Sequence, residues 1–159
     1  MATLKPARKQ RQVVAIIAIA LIVAGVGGTG IVAMSARNGP LPAFTQSAPI
    51  VNESIAVEAG SFKYYEFNVS PDIRSAGLRG SFSSTGSGPD NDIVISVVSG
   101  EALQNINEGK AYPALYFSGK VASSEINAEL AERGTMYVII DNRFSETPKV
   151  VDADVELAY

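Results

Sequence analysis

The sequence predicts an all-β fold, an antiparallel β-sandwich or jelly roll of about eight strands, preceded by one N-terminal transmembrane helix. Two observations carry this reading. Apolar residues recur with period two from residue 50 onward, interrupted at regular intervals by turn residues. An uncharged apolar run, residues 13–34, stands near the N-terminus.

The apolar run comes first in the chain. At about 1.5 Å per residue it would extend roughly 33 Å, the thickness of a hydrocarbon core. Lys5, Arg8, Lys9 and Arg11 precede it and Arg37 follows it, so the first 39 residues carry +5 and no acid. The other 8 of the 13 basic residues and all 16 acids lie in residues 40–159, a net charge of −8. The positive-inside bias then places the N-terminus in the cytoplasm and the acidic domain outside the cell membrane. A cleaved secretory signal is the rival reading. Residues 13–26 have the length of a signal core, and Ala33-Met34-Ser35 is a small-x-small cleavage site. Both readings export the domain, and the apolar continuation through Ile31 and Val32 favours a retained anchor. Without cysteine there is no lipoprotein anchor. Along the expected helix Ala20, Ala24 and Gly28 form one row of small residues, and Gly25, Thr29 and Ala33 form the next. Such rows admit a partner helix or a second copy of the same helix. Gly25 to Gly30 is glycine-rich but lies inside the apolar run with no strand before it, so it is not a dinucleotide fingerprint.

Four segments are expected: a basic cytoplasmic tail (1–12), the transmembrane helix (13–36), a Pro-rich linker (37–49) and the extracytoplasmic β-sandwich (50–159). Pro40, Pro42 and Pro49 argue for an extended spacer. The period-two strands are Ile55/Val57/Ala59, Tyr65/Phe67/Val69, Leu78/Gly80/Phe82, Ile93/Ile95/Val97, Ile126/Ala128/Leu130 and Val151/Ala153/Val155/Leu157/Tyr159. Residues 114–117 form a further short candidate. Residues 136–140 are apolar on both faces, as in a strand inside a packed sheet. Residues 101–106 are expected to make a helical turn. Turns fall at 70–72, 86–92, 109–110, 118–119 and 133–134, each rich in Gly, Pro, Asp or Ser.

The absence of both Cys and His removes disulfides, thiolate nucleophiles, imidazole bases and the usual zinc sites. No cofactor, metal or catalytic residue is expected. Asp90, Asn91 and Asp92 offer three oxygen side chains that a hard cation would accept, although turn capping by their own backbone explains them more simply. Asp141 and Asn142 end the most buried strand, where they are expected to accept loop N–H groups and fix the turn through Phe144 and Ser145. Asn52-Glu53-Ser54 and Asn68-Val69-Ser70 fit the glycosylation acceptor pattern. Lys63, Tyr64 and Tyr116 form a candidate aromatic contact patch. A −8 domain repels phosphate, which excludes nucleic acid as a partner.

Several short motifs occur in a particular order: Val57-Glu58-Ala59-Gly60-Ser61-Phe62, Leu78-Arg79-Gly80-Ser81-Phe82, Asn91-Asp92-Ile93, Tyr137 through Ser145 with Asp141-Asn142-Arg143-Phe144-Ser145 as its turn, and Lys149-Val150-Val151. In that order, over residues 50–159, the chain resembles the GOLD (Golgi dynamics) β-sandwich, and more closely its small prokaryotic membrane-anchored relatives. The resemblance implies a protein-binding, non-catalytic head on a single membrane span. The N-terminal anchor, the missing cysteine pair and the lack of a sorting tail depart from the eukaryotic receptors, so Golgi traffic is not implied. The expectation is a non-enzymatic accessory or interaction subunit of a membrane or envelope complex. The alternatives are an envelope filament or surface-layer subunit and, more weakly, a carbohydrate-binding module.

Overall fold

The structure, a computed structural model, describes residues 44–159 other than Pro89, and the two-residue strand β1 (Val32–Ala33). Ten further elements follow: β2 (Ser47–Val57), β3 (Phe62–Val69), β4 (Ala76–Gly86), β5 (Ile93–Ser99), α1 (Gly100–Asn107), β6 (Pro113–Ala114), β7 (Tyr116–Val121), β8 (Ser123–Leu130), β9 (Gly134–Asp141) and β10 (Lys149–Ala158). The expected transmembrane helix and its small-residue rows lie outside the described residues, apart from Val32 and Ala33, which are extended. No helix among the described residues is long and apolar enough to cross a membrane.

Eight strands form two four-stranded antiparallel sheets, ordered β2-β10-β4-β8 and β3-β9-β5-β7. Sequence neighbours β2/β3, β4/β5, β7/β8 and β9/β10 occupy matching places in opposite sheets, which is jelly-roll topology. Each of these four connections therefore crosses from one sheet to the other, while the connection from β5 through α1 to β7 stays within one sheet, and the two sheets meet through their apolar faces.

The alternation explains the packing. In β10, Val151, Ala153, Val155 and Leu157 are buried while Asp152 and Asp154 are exposed. Leu78, Phe82, Ile126, Leu130, Phe67 and Val69 complete that inter-sheet core with Met136, Val138 and Ile140 from β9. Each full burial of such a side chain contributes about 1.5–3 kcal/mol. Strand β9 lies between β3 and β5 and buries its other face too: Ile139, with Val98 of β5, packs under α1 through Ala102 and Ile106. The continuous apolar run at 136–140 has this cause. Helix α1 begins where Ser99 Oγ accepts from Ala102 N at 3.3 Å, and it ends as Gly109, at φ 68°, donates to Ile106 O.

The turn expected at 118–119 lies inside β7, at the register shift between Val94↔Lys120 and Ser96↔Phe117, and two boundaries also differ from the sequence reading. Strand β2 starts at Ser47, inside the stretch read as a spacer, because Pro49 sits on an edge strand at a register shift where its missing N–H costs nothing. Ala59 leaves the strand and lies exposed in the turn toward β3, where Ser61 N donates to Glu58 O at 3.3 Å.

Candidate functional site: the distal loop cluster

The chain enters and leaves the sandwich at one end. Thr45 N and Gln46 N donate to Tyr159 O, and Tyr159 N donates to Gln46 O. The opposite, distal end is built from the β2–β3 turn (58–61), the β4–β5 loop (87–92), the β7–β8 corner at Ala122 and the β9–β10 turn (142–148). The registers Phe62↔Asp141, Val94↔Asp141, Ile93↔Val121 and Lys149↔Gly86 place all four together.

Asp90, Asn91 and Asp92 are brought to this end, and they already surround a cation of the chain's own. The Lys149 ammonium donates to Asp90 O at 2.8 Å and Asp92 O at 2.6 Å and lies 3.9 Å from Asp90 Oδ1. Its side chain is 0% exposed. Main-chain oxygens that could have coordinated calcium are thereby occupied. Asp92 N donates to Asp90 Oδ1 at 2.8 Å, which is the turn-capping arrangement. That bond, more than the Lys149 and Lys120 ammoniums, holds the Asp90 carboxyl below its ordinary range. The sequence reading passed over Lys149, although it stands two residues before Val151 and so shares the inward face of β10.

Asn142 acts as a rivet. Wholly buried, it donates through Nδ2 to Val57 O (3.3 Å), Glu58 O (3.2 Å) and Thr147 O (2.9 Å), while its main-chain N–H donates to Ser61 O at 2.9 Å. Its side chain donates, where the sequence reading had it accept. Asp141 behaves as expected: Oδ1 accepts from Arg143 N at 2.9 Å, and its carboxylate takes the Arg143 guanidinium, with Nη2 2.6 Å from Oδ2. Arg143 also stacks over Phe62, 5.1 Å from the ring centre. Asp141 thus turns toward Arg143, while Asp90 serves the Lys149 loop, so the two carboxylates have separate partners.

The large hydrophobic residues exposed among the described residues are Phe144 (38%) and Val150 (45%), and both stand at the distal end. Phe144 lies on the β9–β10 turn with the Lys120 ammonium 4.0 Å from its ring centre and that of Lys149 at 5.9 Å. Val150 faces outward between its register partners Ala56 and Thr85.

The remaining candidates are scattered. Tyr64 packs edge-on against Tyr137, with ring centres 5.7 Å apart, beside the cluster under α1, whereas Tyr116 packs against the inter-sheet core. They do not share a patch. Asn52 and Asn68 are both exposed. A surface depression of about 410 Å³ lies on the β2-β10-β4-β8 sheet and is lined in part by Asn52, Ser54, Ser81, Ser83, Asp152 and Asp154. No family model matches this chain, and comparison with curated proteins returns no match.

Proposed function

We propose that this is a non-catalytic, single-span membrane protein whose exported GOLD-like β-sandwich is the interaction subunit of a membrane or envelope complex, docking its partner protein at the distal end. The observation that carries the reading is the placement of Phe144 and Val150, exposed at the end opposite the one where the chain enters. Large apolar side chains held on a rigid rim are the usual anchors of protein interfaces. The rim is rigid because Asn142 and Lys149 bind main-chain carbonyls of three different loops. An anchor before residue 44 leaves this end facing away from the bilayer, where an envelope partner is within reach. Purification of the full chain from its native membrane in mild detergent tests the proposal. A defined complex containing a second protein supports it. Fibres of the chain alone point to the filament reading, and retention on immobilised glycans points to the carbohydrate-binding reading.

A further inference from the structure

The sandwich has four edge strands, β2, β8, β3 and β7, and they meet solvent differently. Strand β2 carries Pro49 and a register shift, and β7 is shifted between Lys120 and Phe117. Strand β8 pairs evenly with β4, but its outward row is Ser123, Glu125, Asn127 and Glu129, and charged side chains blunt an edge. Strand β3 is as long and as even, paired with β9 from Phe62 to Val69. Its outward row opens with Phe62 and Tyr64, and Tyr137 of β9 widens it, the Tyr64 and Tyr137 rings standing edge-on with centres 5.7 Å apart. The two charges of β3, Lys63 and Glu66, fall on opposite faces, so neither face carries the paired acids of β8.

The register also fixes which backbone groups of β3 face solvent. Asn142 N donates to Ser61 O at 2.9 Å, so Ser61 and Asn142 form a hydrogen-bonded pair, and the bonded pairs continue at Lys63, Tyr65, Phe67 and Val69. The N–H and C=O groups of Phe62, Tyr64, Glu66 and Asn68 therefore point away from β9, and no main-chain bond among the described residues uses them. Donors and acceptors repeating at every second residue match the backbone of one further extended chain. This edge begins beside the docking rim, where Arg143, the neighbour of Phe144, stacks over Phe62.

We propose that the partner protein of the distal end adds an extended segment to β3, paired through the backbone of Phe62, Tyr64, Glu66 and Asn68, with apolar side chains lying over Phe62, Tyr64 and Tyr137. The inference rests on the docking reading above and names what the partner presents there, a strand. Its main-chain bonds supply affinity, and the aromatic row selects β-branched or aromatic residues at alternate positions.

The test places a photo-crosslinker in the full chain in its native membrane, in turn at Phe144, Glu66, Asn68 and, on the even edge of the other sheet, Asn127. The same protein adduct is expected from 144, 66 and 68, and none from 127. Glu66→Pro removes one outward N–H and leaves the main-chain bonds of β3 to β9 in place, whereas Glu66→Ala keeps that N–H. With the crosslinker at 68, the adduct should be lost in Glu66→Pro and kept in Glu66→Ala. An adduct from 144 with none from 66 or 68, or equal loss in both variants, would overturn the added strand while docking at the distal end stands. No adduct from any position would overturn the docking reading itself, and an adduct with a second copy of this chain would overturn the proposal in favour of a filament. The adducts from 66 and 68 decide the matter even where Glu66→Pro fails to fold.

Discussion

At the scale of single residues, the distal end is held by side chains that donate to main-chain carbonyls. Lys149→Met keeps the buried stem and removes the donor, leaving Asp90 O and Asp92 O without a partner. Each such loss costs about 1–3 kcal/mol. The variant should therefore unfold at least about 2 kcal/mol more easily in denaturant, and amides of the 87–92 loop should exchange faster than those of β10; unchanged exchange in that loop would show that Lys149 does not hold it. Lys149 was legible as an inward position of the period-two pattern, but a lysine at such a position is ordinarily assigned to solvent. Nothing local in the sequence announces the carbonyls that receive it, because they lie 57 and 59 residues away. The phenols make a second prediction at this scale. Burial, and then the bond from Tyr65 Oη to Glu53 Oε1, pushes the Tyr65 hydroxyl above its usual range, and burial likewise raises Tyr112, Tyr116 and Tyr137. A folded-state value above the unfolded one stabilises the fold fully below the ordinary phenol value of about 10, and this contribution is lost as pH rises through the folded value. Tyr65→Phe should remove phenolate absorbance from the high-pH part of the titration alone; a loss in the ordinary range would contradict the assignment.

At the scale of elements, the strands were legible and their partners were not. Alternation located β3, β5, β8 and β10 because each buries one face against the opposite sheet, and the doubly apolar stretch located β9 because α1 covers its second face. The pairing order β2-β10-β4-β8 joins strands far apart in sequence, which a local pattern cannot encode. The start of β2 was hidden by Pro49, whose usual meaning as a breaker fails on an edge strand. Gly80 shows the same limit. It fits the strand pattern as a small inward residue, but its φ of 142° and the backbone of β10 are what require glycine: a Cβ there would lie 1.9 Å from Asp154 O. Gly80→Ala combines backbone strain with this clash and should cost at least about 2 kcal/mol. Thermal unfolding checks it, and a melting temperature equal to wild type would mean that β4 and β10 do not approach so closely.

At the scale of the whole molecule, the proposed anchor and its orientation, with the +5 segment inside and the −8 domain outside, make a prediction of their own. Protease added to intact cells or spheroplasts should digest the −8 domain and spare the basic tail; protection of the domain until the membrane is opened would reverse that orientation. Within the sandwich the 87–92 loop and the turn after Asp141 were legible in the sequence, whereas the 58–61 turn and the corner at Ala122 were not, and the assembly of all four at one end followed only from the jelly-roll registers. The central claim is that a partner protein docks on that end. Site-specific photo-crosslinking in the native membrane tests it most directly, with the crosslinker placed in turn at Phe144 and Val150 and, on the exposed turn at the opposite end, at Asp72. The account predicts one and the same protein adduct from positions 144 and 150 and none from 72. An adduct from 72 alone, or equal adducts from all three positions, would contradict it.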